Sequence, residues 1–427
     1  MRAIYLLLVF IIPNLAIAQN TIPIKADTIC VQRDLGDVIR AALKKPPKDS
    51  DEFDDSPGDL LLIPTIGSNP SIGFMVGVGG QYAFKMPGKT TSYSIFSGSV
   101  QFTSKNQQLF LLKNNIYTKN NKLFLSGDWR YQIFSQSTYG LGTNAPENGI
   151  LDFQYGIGGH ETAIDSLAQP LKFDFVRFHQ SVSYNISGSF YIGLGYYLDS
   201  YSKIVDQKLR INPGDSLITS HYAYSKHYGF NENKYVSSAL GINLVYDTRD
   251  NMINAYKGYF AMLGWNSALE FLGSDKSANY LSMEWRSFHP LSRKNPRHLM
   301  SFWAMAEFTT EGKVPYLILP ATAYDQRSRS GRGYAQGRFR GNQMAYGEAE
   351  YRFPISQCGG LWGGVLFANA TTANNPIQSL DLFESIKPGF GFGARLMVDK
   401  KSRTNLAIDF AFGEKTFGFY LAASETF

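Results

Sequence analysis

The sequence predicts an all-β fold, a transmembrane antiparallel β-barrel of sixteen strands, and three observations carry that prediction. Beyond residue 18 no apolar run approaches the roughly 18 residues that a helix needs to cross a bilayer. From residue 60 onward the chain falls into alternating apolar and polar segments of about ten residues, the period of strands with one lipid face and one lumenal face. The long connections fall on odd-numbered hairpins, as they do when all the long loops lie on one side of a membrane. A mean hydropathy of −0.19 agrees, since lumenal polar residues cancel the lipid-facing ones.

Taken in order, residues 1–18 read as a signal peptide. Arg2 gives the positive start, Ile4 to Ile12 the apolar stretch, and Ala16-Ile17-Ala18 the small-residue cleavage pattern. Residues 19–58 read as a periplasmic linker with a short amphipathic helix. Asp34 caps it, Leu35, Val38, Ile39, Ala42 and Leu43 follow helical spacing, and Pro46-Pro47 ends it. The acidic run that follows, Asp49 to Asp55, lacks EF-hand spacing and reads as solvated linker. Cys30 and Cys358 lie too far apart in sequence to suggest a disulfide framework.

Residues 59–427 are assigned to the barrel. The predicted strands are 60–67, 72–84, 93–103, 107–117, 121–133, 173–186, 190–202, 236–247, 258–269, 278–289, 298–309, 342–354, 361–371, 388–399, 403–413 and 415–427. The first is short and broken by Pro64, which predicts an incompletely zipped seam with the sixteenth. Connections 134–172, 203–235, 310–341 and 372–387 are long and odd-numbered, hence extracellular. Short even-numbered turns face the periplasm, among them the one carrying Asp247, Arg249 and Asp250, read as charge-paired residues that fix the register. The last strand ends on Phe427, read as a C-terminal assembly signal for the barrel-assembly machinery, with Glu425 on the lipid face. A soluble sandwich is excluded by Arg177, His179, Arg286, Glu348, Glu350, Arg352, Arg395 and Asp409 on the face opposite the apolar one, since a core does not accept that many charges.

The densest motif is Arg332-Gly333-Tyr334, followed by Glu348-Ala349-Glu350-Tyr351-Arg352-Phe353-Pro354. With Tyr246 to Asp250, Tyr139-Gly140-Leu141-Gly142 and the Phe-terminated last strand, it resembles the BamA/TamA family of outer-membrane barrels, also called the bacterial surface antigen family, over roughly residues 60–427. The resemblance implies that the long loop between strands 11 and 12 folds into the lumen with Arg332 at its tip. It also implies an Asp partner on strand 13, where this chain has Asn369. Glu348 and Glu350, on the lumenal parity of strand 12, are the charged candidates. Gly333 permits the tight turn. Arg327, Arg329, Arg338 and Arg340 read as a basic surface that meets lipopolysaccharide equally well.

Other constellations are thin. His221 and His227 in the seventh connection read as an exposed polar-aromatic surface rather than a metal site. His179 and Ser181 share a lumenal face, away from the acyl chains that a lipase nucleophile must reach. Neither a Gly-x-Ser-x-Gly elbow nor His-Glu-x-x-His is present, so the expectation is no enzyme, no cofactor and no metal. A net charge of +6 over 427 residues argues against nucleic acid as the main partner.

The expected setting is the outer membrane of a Gram-negative bacterium, in contact with lipid and lipopolysaccharide. The resemblance implies insertion or export of proteins or lipids there by bilayer perturbation or lateral opening. Client proteins and a periplasmic or lipoprotein partner are expected, because the family's periplasmic repeats do not fit between Gln19 and Asp59. The alternative is a passive channel or structural barrel.

Overall fold

The computed structural model describes residues 32–45, 58–69, 73–88, 90–145, 168–213, 215–356 and 360–427. The predicted signal peptide, both cysteines and most of the linker lie outside the described residues. One sheet of sixteen antiparallel strands runs in chain order. The strands are β1 (Asp59–Asn69), β2 (Gly73–Phe84), β3 (Ser94–Thr103), β4 (Gln108–Tyr117), β5 (Leu123–Thr138), β6 (Gln169–Ser187), β7 (Phe190–Asp206) and β8 (Tyr235–Asp247). There follow β9 (Gly258–Ala268), β10 (Ala278–Pro290), β11 (Leu299–Gly312), β12 (Gln343–Pro354), β13 (Trp362–Ala373), β14 (Lys387–Asp399), β15 (Thr404–Gly413) and β16 (Thr416–Ala422). Two helices flank it, α1 (Leu35–Ala42) and α2 (Ser220–Tyr228).

Alternation explains the sheet. On β8, Leu240, Ile242 and Leu244 face outward while Ala239 and Asn243 are buried. On β14, Phe390 and Phe392 are outward and Arg395 is buried. A strand that offers apolar side chains to lipid and polar ones to a lumen satisfies both only by closing its sheet around that lumen.

Four differences from the sequence reading have physical causes. Pro64 does not break β1: it pairs opposite Val78 with no register shift, because an edge strand tolerates a missing N–H. The short strand is β16, which stops at Ala422 instead of 427. β5, β6 and β7 are 16, 19 and 17 residues long and outrun the predicted spans. The connection from β8 to β9 is no plain turn: Asn251 to Tyr256 are buried. Met252 and Ile253 pack with Tyr117, Phe124 and Phe260, while Ala255 and Tyr256 join Phe288 and Leu299, so this segment forms an internal floor at the periplasmic end.

At the opposite end an aromatic cap forms. Tyr224 of α2 packs with Phe173, Phe175, Tyr201, Tyr235 and Tyr316, and its hydroxyl donates to the Val314 carbonyl at 2.9 Å. α1 sits at the periplasmic rim. Asp34 and Asp37 form a reciprocal cap at 2.8 and 3.1 Å, and both hold Lys400 of the β14–β15 turn, through its N–H at 3.2 Å and its Nζ at 2.7 Å. A cavity of about 610 Å³ there is lined by α1, by Leu60 and Leu61 of β1, and by Gln81 of β2.

Candidate functional site

The loop from β11 to β12 enters the lumen and delivers Arg332 to the wall formed by β12 to β15. Its side chain is fully buried. Nε donates to Glu348 at 3.0 Å, Nη2 to Glu348 at 2.6 Å and to Glu350, and Nη1 to Asp409 at 2.9 Å. The guanidinium also lies 3.5 Å from the Phe367 ring centre. Glu348 is steadied by the Tyr346 hydroxyl, which donates to it at 2.6 Å. One cation thus faces three carboxylates from two strands, a geometry that the planar fork of arginine meets and an ammonium does not. Asn369 takes another role: its Nδ2 donates to the Arg332 carbonyl at 3.1 Å and holds the loop backbone rather than the charge.

The excess anionic charge is shared onward. Arg352 Nε donates to Glu350 at 2.8 Å, and Arg395 Nη1 donates to Asp409 at 2.6 Å. Strand parity identifies Asp409 as lumenal, but its pairing with Arg332 depends on how deep the loop sits, which parity does not encode.

Gly333 sets that depth. Its φ is +102°, and a Cβ there would lie 2.8 Å from the Phe412 carbonyl carbon. Its N–H donates to the Tyr420 hydroxyl at 3.0 Å, and Thr416 Oγ1 donates to its carbonyl. The Tyr334 hydroxyl donates to the Pro388 carbonyl at 2.6 Å and accepts from the Glu414 N–H at 3.0 Å. The tip is therefore stapled to β14, to the β15–β16 turn and to β16, the strand that borders the seam.

The four further loop arginines turn inward or under the loops instead of forming a lipopolysaccharide-facing surface. Arg340 is fully buried and donates to the Tyr316 and Leu319 carbonyls at 2.9 and 3.2 Å. Arg329 reaches the Leu421 carbonyl at 3.3 Å and stacks on Tyr420. Arg338 donates to the Ala145 carbonyl at 2.7 Å and stacks on Tyr139. Arg327 lines a lumenal cavity of about 270 Å³ together with Arg286, Glu284, Glu307 and His179. On the far wall, Gln326 donates to Ser126 at 3.1 Å, and Arg177 donates to the Tyr324 carbonyl at 3.0 Å.

Asp247 and Arg249 form a bidentate pair at 3.0 and 2.6 Å, and Tyr117 donates its hydroxyl to Asp247. Arg249 and Arg286 both approach the Phe260 ring, at 4.5 and 4.6 Å. Asp250 accepts from the Tyr256 N–H at 2.9 Å and pairs with Arg403 at 2.8 Å, which ties the floor to the β14–β15 turn. His221 and His227 do not converge. His221 is buried in the cap against Tyr235 and Tyr316, and burial pushes its imidazole down to about 4, whereas His227 is exposed. His179 meets Asp199 at 3.1 Å. Among the described residues no cluster of His, Cys, Asp and Glu fits a metal ion.

The end of the sequence departs most from expectation. Past Ala422 the chain leaves the wall, and Glu425, Thr426 and Phe427 are buried in the lumen. Glu425 accepts from Arg395 Nε and Asn405 Nδ2, both at 2.6 Å, and Phe427 stacks near Trp303 at 5.5 Å. The alternation that placed Glu425 on the lipid face fails because the strand has already ended. At the seam, no ladder joins β1 to β16 among the described residues. Ile63 and Thr65 of β1 and Leu421 to Ser424 line a shared cavity of about 250 Å³ with Lys113 and Arg329.

Residues 171–427 match the Omp85 superfamily domain. No curated protein matches the sequence. The structure is similar to that of BamA from Haemophilus ducreyi lacking POTRA domains 1–3, with a TM-score of 0.49 and 13% identity, over 85% of this chain and 69% of that one. It is also similar to CdiB from Acinetobacter baumannii, with a TM-score of 0.46 and 10% identity, over 86% of this chain and 59% of that one.

Proposed function

Because the chain belongs to the Omp85 superfamily and is an outer-membrane β-barrel, we propose that it assists insertion or export of proteins at that membrane by opening between β1 and β16. The carrying observation is the unladdered seam, whose β16 side is stapled to a loop locked by buried ion pairs. An edge with free N–H and C=O groups inside a membrane is costly unless something pairs with it, so such a seam is a place for an incoming strand. α1 lies at the periplasmic end of β1, with Val38, Ile39 and Leu43 exposed, and offers a contact for a client or a lipoprotein partner.

The test is a quantitative outer-membrane proteome, with surface lipid composition, of a strain lacking the protein against its parent. Loss of a defined subset of barrels or surface proteins is expected, restored by wild type but neither by Arg332→Ala nor by a chain with a disulfide engineered across β1 and β16. Full restoration by the cross-linked chain sinks lateral opening. An unchanged proteome together with steady bilayer conductance would support the passive channel.

A further inference from the structure

The lumenal cavity of about 270 Å³ between the floor and the cap carries charges that the loop lock does not use. Most of them are matched. Arg177 pairs with Asp199 at 2.7 Å and with Asp128 at 3.5 Å, and His179 meets Asp199 at 3.1 Å. Arg249 is held by Asp247 at 2.6 Å. Glu284 accepts from Arg286 Nε at 2.7 Å and from Trp303 Nε1 at 2.8 Å. Asp325 accepts the N–H groups of Arg327, Arg329 and Ser330. Two groups are left over. Among the described residues neither the Glu307 carboxylate nor the Arg327 guanidinium has a hydrogen-bond or ion-pair partner, and Arg327 Nε is buried. Opposite charges that line one cavity without satisfying each other are costly to desolvate, and a ligand with complementary charges relieves both.

The register shows why the two do not meet. Across β9, β10 and β11 the lumenal rows run Phe260, Arg286 and Trp303, then Met262, Glu284 and Met305, then Gly264, Ser282 and Glu307. Phe260 packs on Met252 of the floor, so Glu307 stands at the end nearer the cap. Arg327 belongs to the floor end: the charges that act on it most are Arg286, Glu284 and Arg249, and both of those arginines stack on Phe260. Trp303 and Glu307 are four residues apart on β11, about 13 Å of strand. Between the ends, Met262 and Met305 offer thioethers, which are apolar and adapt to an irregular occupant. One row beyond Glu307, Asn266 adds a buried amide oxygen without a partner, seated where a Cβ on Gly241 would lie 1.9 Å from it.

We infer that this cavity is a binding site for a short linear zwitterion, of the kind a tripeptide with free ends presents, its ammonium against Glu307 and Asn266 and its carboxylate against Arg327. An extended tripeptide is about 10 Å long, close to the separation of the two ends. The volume bounds the ligand from above, since it lies just under the roughly 300 Å³ at which small-molecule pockets usually begin. A simple anion satisfies Arg327 and leaves Glu307 unmet, and a lone cation does the reverse. A ligand that carries both charges, joined by a spacer that suits the thioethers, answers the whole lining.

The experiment uses full-length protein in detergent and radiolabelled trialanine in equilibrium dialysis. Saturable binding of one peptide per chain is expected, weakened about tenfold by acetylating the peptide's amino end and about tenfold by amidating its carboxyl end. Glu307→Gln should abolish the discrimination against the acetylated peptide and keep that against the amide, and Arg327→Gln should do the reverse. This crossed pattern separates contact from a general loosening of the barrel. Each variant serves alone should the other not fold, with heat-modifiable migration on gels reporting the barrel. Absence of saturable binding to the wild-type chain, or discrimination that a folded variant leaves unaltered, overturns the inference and assigns both groups to lumenal water. Binding is measured apart from the proteome: failure here leaves the export reading standing, and a proteome without effect leaves the site standing.

Discussion

The two flanks of the seam are built in opposite ways. On the β12–β16 side the lumen wall is cross-linked to the inserted loop by Arg332, Gly333 and Tyr334, with Arg352 and Arg395 spreading the charge. On the β1–β3 side the wall offers Gly79, Gly80, Ser97, Gly98 and Ser99 to a cavity, and the loop makes polar contacts with the next strands, β4 to β6. One flank is thus tied to the loop by direct polar contacts, and the other meets it across a cavity. Under the proposed lateral opening, a seam with unequal flanks parts by displacement of the less tightly held one.

Arg332→Ala gives the sharpest contrast, since it leaves Glu348, Glu350 and Asp409 buried together without their shared cation. A loss of about 3–5 kcal/mol is expected, read as a lower temperature of heat-modifiability and as new protease cleavage within residues 310–341. Unchanged melting and a still-protected loop would remove the basis for the comparison.

Acidification acts on the cap rather than the seam. The folded-state pKa of His221, about 4, lies below its ordinary 6.5, so the opened cap takes up the proton more readily than the closed one. Stability from this group is full above pH 6.5 and is lost as pH falls towards 4, by roughly 3 kcal/mol in all. Protection of the α2 amides, expressed relative to their intrinsic exchange rates at each pH, should fall between pH 7 and pH 4.5, with the fall abolished in His221→Phe.

Asn369→Asp tests the lock from an unobvious direction. Restoring the carboxylate implied by family resemblance should weaken the barrel by about 1–3 kcal/mol, because Asn369 Nδ2 donates to a carbonyl that a carboxylate would repel. A rise in thermal stability would mean the loop re-docks. The smallest effect is expected on the other flank, where Ser99→Ala should stay within about 0.5 kcal/mol.

The strands were legible because a lipid face and a lumenal face impose a period of two on every crossing, and the connection lengths checked the count. Much of the lock was also visible: Arg332, Glu348 and Glu350 stand out by motif and parity. What parity cannot encode is depth, so the Asp409 contact and the inward path of Glu425 and Phe427 were invisible, each depending on two distant segments meeting across the lumen. The floor was missed for another reason. Asp247 to Asp250 look like turn chemistry, and the signal was the apolar set Met252, Ile253, Ala255 and Tyr256 within the same stretch.

Gly413 has a consequence for how such a chain can drift over generations. A Cβ at that position would lie 2.7 Å from the Tyr334 ring, just as one at Gly333 would strike the backbone beside Phe412. Loop tip and wall are each fitted to a missing side chain in the other. Neither can be altered first without a clash, so relatives that keep the inserted loop should change these positions in concert, and a change at one alone marks a lineage in which the loop sits elsewhere.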